Sequence, residues 1–94
     1  MRGSRTGRPI MVVLDLLGRR GTLRILWELR DDVRLNFRAL QAAADTNPSL
    51  LNTRLKEMRE AGWIEHDEGG YRLSDAGRGL YGALMPLYRW AEPP

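Results

Sequence analysis

Cysteine is absent from this 94-residue chain, histidine occurs once, as His66, and only one of the basic residues, Lys56, is a lysine. Without thiols there are no disulfide staples, no thiolate nucleophile and no cysteine ligands for zinc, so packing alone must hold the core. A lone histidine without clustered carboxylates is read as an exposed strand residue rather than a metal ligand or an acid/base group. Long apolar runs are also missing. IMVVLDLL at 10–17 is interrupted by Asp15 and falls far short of the roughly 20 residues that span a bilayer. The Arg-rich start lacks the short apolar core and small-residue cleavage site of a secretory signal, so a cytoplasmic location and no membrane partner are expected. No nucleophile–base pair, glycine-rich phosphate loop or ligand cluster is visible, and Glu57 and Glu60 read as helix-surface charges. An enzyme is therefore not expected, and no cofactor or metal is implied.

What is present is enough for one small domain, since a chain of this length buries roughly two thirds of its unfolded surface. The net charge is +3, but residues 1–30 hold seven arginines against Asp15 and Glu28, whereas the rest of the chain is slightly acidic. Such a balance is compatible with a nucleic-acid partner without requiring one, because phosphate binding depends on where the cations cluster in space. MRGSRTGR has no apolar period, so 1–8 is expected to be a flexible Arg-rich arm and 9–94 the folded domain.

The helical signals come in sequence. Pro9 suits the first position of a helix over 9–17 that Gly18 stops; apart from Asp15 this helix is apolar nearly all round, so one core cannot cover it. A second helix over about 20–30 carries Leu23, Leu26, Trp27 and either Leu29 or Ile25 at helical spacing. Asn36 is a cap for a short third helix, FRALQAAA, with Phe37, Leu40, Ala43 and Ala44 inward. Asp45-Thr46-Asn47 then makes a tight turn, with Asn47 as cap and Pro48 in the first turn of a fourth helix that ends near Gly62. Leu51, Leu55 and Met58 form its inner face. The opposite side presents Ser49, Asn52, Thr53, Lys56 and Glu60. Asn can bond adenine in bidentate fashion, Ser and Thr can bond bases or phosphates, and Lys56 and Arg59 can hold phosphates. Polarity alone would describe any solvated helix face; its place after a short helix and tight turn is what points to DNA.

Residues 63–66 and 71–73 alternate as two short strands around Asp67, Glu68 and Gly69-Gly70, a small hairpin whose acidic tip repels phosphate. His66 and Arg72 are its only favourable contacts for DNA. Ser74 caps a last helix over 76–90 in which Pro86 is expected to cause a bend. Leu80, Tyr81, Leu84, Met85, Leu87, Tyr88 and Trp90 spread around much of it. The first and last helices are thus both too apolar for a monomer, and pairing across a two-fold axis is the simplest remedy. A cofactor or small aromatic effector between them, near Tyr81, Tyr88 and Trp90, is the rival explanation.

The segments LGRRGTLRILWEL, NFRALQAAADTNPSLLNTRLKEMREAGWIE and YRLSDAGRGLYGALMPLYRWA resemble the winged helix-turn-helix regulators of the HxlR type, within the wider MarR and ArsR-like group. The resemblance implies a mainly α fold with a small β-hairpin, dimerised through its N- and C-terminal helices. It also implies a recognition helix at 48–60 in which Arg54 matches the family's mid-helix arginine. Family members usually carry an N-terminal cysteine that can serve redox or aldehyde sensing; none exists here, so thiol sensing is not carried over. Their wing is also longer than the Asp67–Gly70 turn of this chain.

The combined expectation is a bacterial, sequence-specific DNA-binding transcriptional regulator that meets a palindromic operator as a homodimer. Ser49, Asn52, Thr53 and Lys56 are the candidates for base or nearby phosphate contact. Arg54 and Arg59 are candidates for phosphate or intramolecular pairing, and Arg72 is the wing's candidate. The alternative is a winged helix that binds a protein partner through its wing and outer helix. A continuous positive face joining helix 48–60 to the arginines of 19–24 would favour DNA, and a neutral one would favour protein.

Overall fold

The computed structural model describes residues 8–93; the expected arm lies, Arg8 apart, outside them. Helix α1 (Pro9–Leu17) begins at its proline and stops at Gly18, as its end residues dictate. Of its side chains only Leu16 and Leu17 are buried, while Ile10, Met11 and Leu14 face outward. Helix α2 (Thr22–Glu28) is shorter than 20–30, because Gly21 enters it in the left-handed conformation and Leu29 already leaves helical geometry. Its inward stripe is Thr22, Ile25, Leu26 and Leu29, whereas Leu23 is 53% exposed. This corrects the expected stripe. Both sets of positions have helical spacing, so periodicity could not choose between them; packing of α2 on α1 and on α3 (Phe37–Ala44) does.

Asn36 and Asn47 cap α3 and α4 (Pro48–Glu60), their side chains accepting from the Ala39 and Leu50 amides at 2.8 Å each. Between the two helices Asp45 sits in the left-handed region, which gives the tight corner of a helix-turn-helix. At the far end of α4 the Gly62 N–H bonds the Arg59 carbonyl and the Trp63 N–H bonds the Met58 carbonyl, both at 2.9 Å. These are the paired bonds of a Schellman stop. They engage Trp63 in ending the helix, so the hairpin starts one residue later than expected, with β1 (Ile64–Asp67) antiparallel to β2 (Gly70–Leu73).

Ile64 lies opposite Leu73 and Asp67 opposite Gly70, leaving Glu68-Gly69 as the turn. A separate antiparallel rung not anticipated from the sequence joins Leu35 to Tyr71 of β2 through reciprocal bonds of 3.1 and 2.8 Å. Gly70 makes room for it. At φ 112° a Cβ there would stand 2.7 Å from the Leu35 carbonyl oxygen.

Helix α5 (Asp75–Ala91) opens on Ser74, whose Oγ accepts from the Gly77 amide at 3.0 Å and donates to the Gly62 carbonyl at 2.5 Å. A Cβ on Gly77 would lie 2.0 Å from the Trp63 carbonyl oxygen, so the close seat of α5 on the hairpin requires glycine. The helix runs on through Pro86 rather than ending there. Its last turns carry Leu87, Tyr88 and Trp90 exposed, Trp90 to 81%. The core between these elements centres on Ile25, Leu26, Leu29, Leu40, Leu51, Leu55, Met58 and Leu73. Each such side chain contributes about 2 kcal/mol on burial. The result is a mainly helical winged helix-turn-helix with one two-stranded wing.

Candidate nucleic-acid interface

Helix α4 has three distinct sides. Leu51, Leu55 and Met58 face the core and are essentially inaccessible. Ser49, Asn52, Thr53, Lys56, Arg59 and Glu60 are exposed on the outside. With 13 residues the helix is about 20 Å long, and its polar outer face begins at the capped N-terminal end that a major groove admits first. The Thr53 hydroxyl donates to the Ser49 carbonyl at 3.1 Å, which leaves its oxygen free to accept. The side chains of Lys56 and Arg59 form no ion pair with any described residue, so their charges stay available to an incoming anion.

The third side is a flank of charge turned inward. Arg54 keeps only 14% of its side-chain surface. Its Nε donates to the Arg20 carbonyl at 2.7 Å and its Nη1 to Glu57 Oε1 at 2.8 Å. Of the two roles expected for Arg54, intramolecular pairing is the one this geometry displays. Glu57 corrects a second expectation: it is 8% exposed and is not a surface charge. Its partner Arg19 lies 38 residues earlier in the chain, beyond the reach of any local pattern.

The wing is also internally paired. Arg72 donates to Glu65 at 3.1 Å and is ion-paired to Asp67, which in turn accepts from the Gly69 amide at 2.8 Å. The hydrogen bond from Arg72, reinforced by that amide, holds the Asp67 carboxyl below its ordinary pKa. His66 stacks flat on Tyr71 with ring centres 3.9 Å apart. Arg72 therefore shares the wing with Asp67 and Glu65 instead of projecting alone.

The arginines of 19–24 do not make one continuous positive face. Arg19 is bound to Asp15 and Glu57, and Arg24 to Glu28 and the Ala43 carbonyl, each at 2.8 Å or less. Arg20 and Arg24 are both exposed, but of the three only Arg20 has no ion pair among the described residues. Sequence reasoning passed over Arg38, exposed in the first turn of α3, which with Gln41, Asp45 and Thr46 borders a concave surface at α3 and the turn that follows it. Its position two residues past the Asn36 cap was the available signal.

Away from this face, α2 and α5 enclose an open apolar groove of about 440 Å³. Trp27 stacks on Tyr88 at 5.7 Å, and the Arg30 guanidinium sits 4.0 Å above the Trp27 ring.

Residues 22–65 match the winged helix-turn-helix DNA-binding family. YdzF of Bacillus subtilis, an HTH-type transcriptional regulator, is 30% identical over 90 residues, covering 87% of this chain and 83% of that one. The chain belongs to the winged helix-turn-helix transcriptional regulators. An HTH-type regulator of Mycobacterium bovis is 31% identical over 93 residues; they cover 92% of this chain and 58% of the relative. Quinone-bound YodB of B. subtilis superimposes with a TM-score of 0.81 at 24% identity, covering 87% of this chain and 93% of YodB. A MarR family protein of Mycobacterium tuberculosis superimposes with a TM-score of 0.68 at 25% identity, covering 85% and 62% of the two chains. This winged helix-turn-helix regulator is thus a DNA-binding protein and not an enzyme. Among its described residues no helix is long and apolar enough to cross a membrane.

Proposed function

We propose that this regulator is of the HxlR type and binds a palindromic operator as a homodimer, one α4 in each of two successive major grooves about 34 Å apart. The observation that carries the reading is the outer face of α4, where Ser49, Asn52, Thr53 and Lys56 are exposed together behind a fully buried leucine face. In this reading Asn52 and Ser49 meet base edges, Thr53 accepts from a base or bridges to phosphate, and Lys56 and Arg59 meet phosphate. Arg38 adds a backbone contact from α3. Arg72 contributes little, since Asp67 and Glu65 already hold it.

The dimer reading is supported by the bare apolar side chains at both ends of the chain, Ile10, Met11 and Leu14 on α1 and Leu87 and Trp90 on α5. The groove against Trp27 and Tyr88 offers room for a small aromatic effector. With no cysteine, such an effector would act without thiol chemistry. The cellular setting of this reading is the cytoplasm, where the chromosome of a bacterium lies.

The test is fluorescence anisotropy of a labelled random-sequence duplex pool titrated with the protein at two salt concentrations, with a mass determination alongside. Micromolar binding that weakens steeply with salt supports phosphate neutralisation, and selection from the pool then yields the operator and its symmetry. A dimer that binds no duplex even at low salt would overturn the reading. It would favour instead a winged helix that docks a protein, a use to which the internally paired arginines and acidic wing are suited.

A further inference from the structure

A carboxylate stripped of water needs charged partners, and Glu57 has them on two different elements. Its Oε1 accepts from Arg54 on its own helix at 2.8 Å, and its Oε2 accepts from Arg19 in the α1–α2 connection at 2.5 Å. Arg19 also donates to Asp15 of α1 at 2.8 Å, while Arg54 donates to the Arg20 carbonyl at 2.7 Å. The chain of contacts thus runs from α1, through the α1–α2 corner, to the middle of α4. Burial opposes the Arg19 charge, but the hydrogen bond to Asp15 and the charge of Glu57 outweigh it and raise its pKa.

The direction of this brace matters as much as its strength. At about 100° per residue, Arg54 and Glu57 fall on one flank of α4, between the leucine face and the exposed face. Apolar burial is nearly non-directional, so Leu51, Leu55 and Met58 hold the helix against the core while resisting small rotations weakly. Charged hydrogen bonds are short and angular, and two on one flank resist such rotation. A turn of about 20° would carry the side-chain surface of α4 by roughly 2 Å, enough to lose base-edge contacts.

We infer that Glu57, with Arg19 and Arg54, is a positioning device that locks the rotation of α4 to α1, so that recognition of a specific sequence depends on it while general affinity for DNA does not. The inference rests on the reading that the outer face of α4 meets bases. Because Asp15 shares α1 with the exposed Ile10, Met11 and Leu14, whatever covers that apolar face is mechanically tied to the DNA-facing side chains.

The test compares wild type, Glu57→Gln and the doubly apolar Arg54→Met/Glu57→Leu variant. Each is measured for affinity to a pool-selected duplex and to random duplex, together with thermal midpoint and hydrogen exchange along α4 of the free protein. Glu57→Gln should lower the selected-to-random affinity ratio about tenfold without weakening binding to random duplex. It should also speed exchange in α4 relative to α3. The double variant, whose apolar packing replaces the ion pair, should regain the thermal midpoint but not the ratio.

A ratio unchanged in Glu57→Gln, an equal loss on both duplexes, or a double variant that recovers the ratio along with stability would each overturn the inference. Should wild type prefer no duplex at all, the DNA reading itself fails. The exchange measurement then still decides the brace: faster exchange confined to α4 supports it, and unchanged exchange removes it.

Discussion

The outer face of α4 and the wing carry the same kinds of side chain in opposite states. On α4, Lys56 and Arg59 extend from a rigid helix with no acidic partner among the described residues. On the wing, Arg72 lies between Glu65 and Asp67, and the tip adds Glu68. The lesson is that charge available to DNA is set by intramolecular pairing and not by counting cations. The same distinction separates the exposed Arg20 from Arg19 and Arg24, which are committed to carboxylates of their own fold. Net charge therefore says little about where this molecule is sticky, and a single well-placed lysine can outweigh several bound arginines.

Both regions rest on one junction, and breaking it is the largest effect to expect. Gly77→Ala would drive a methyl into the Trp63 carbonyl, which stands 2.0 Å from where it must go, and would prise α5 from the end of α4 and the start of the wing. A loss of about 3 kcal/mol is expected, at the upper end of overpacking costs, read as a lowered denaturation midpoint. Gly79→Ala on the same helix meets nothing within 4 Å and should be neutral or slightly stabilising. Equal behaviour of the two would show that the junction relaxes freely.

Next in size is the direct contrast between the two regions. Lys56→Ala should weaken binding to every duplex by several-fold and reduce the salt slope by about one, whereas Arg72→Ala should change affinity by less than about twofold. Loss of one base preference rather than uniform weakening would place Lys56 on a guanine. A large effect at Arg72 would mean that the wing exchanges its internal partners for phosphate.

How much of this was legible in the chain follows from the range of each interaction. Helix starts are local devices: Asn36, Asn47 and Ser74 each bond an amide three residues on, so their sequence signatures mark the helix boundaries closely. The polar outer face of α4 was legible for the same reason, as a periodic pattern within one element. The rung between Leu35 and Tyr71, the inward stripe of α2 and the burial of Glu57 were not. Each depends on residues far apart in sequence, and Glu57 in particular looks from its neighbours like any charge on a solvated helix. Arg54 and Arg72 carry the same side chain as Arg59, and only their partners separate them.

Relieving the wing's internal pairing is the third way to sharpen the comparison. Asp67→Asn removes one carboxylate beside Arg72 and reduces the negative charge of the tip. If pairing alone keeps the wing silent, affinity for duplex should rise about two- to threefold, with a salt slope steeper by up to about one. Unchanged affinity would show that the hairpin stands too far from the backbone to matter, and that distance rather than charge separates wing from helix.

The smallest effect is the titration of that same pair. Hydrogen bonds from Arg72 and from the Gly69 amide favour the ionised Asp67, so its folded pKa lies below the unfolded value. A depressed carboxylate contributes stability that is present above the unfolded pKa, about 3.9 for Asp, and is lost as pH falls through the folded value. The contribution is therefore constant through neutral pH and disappears only in acid. Carbon-detected NMR of the Asp67 carboxyl should show a midpoint below the ordinary range, and Arg72→Gln should move it upward. An ordinary midpoint in wild type would mean that solvent already screens the pair, leaving Arg72 nearly as available to phosphate as Lys56 and dissolving the contrast between wing and helix.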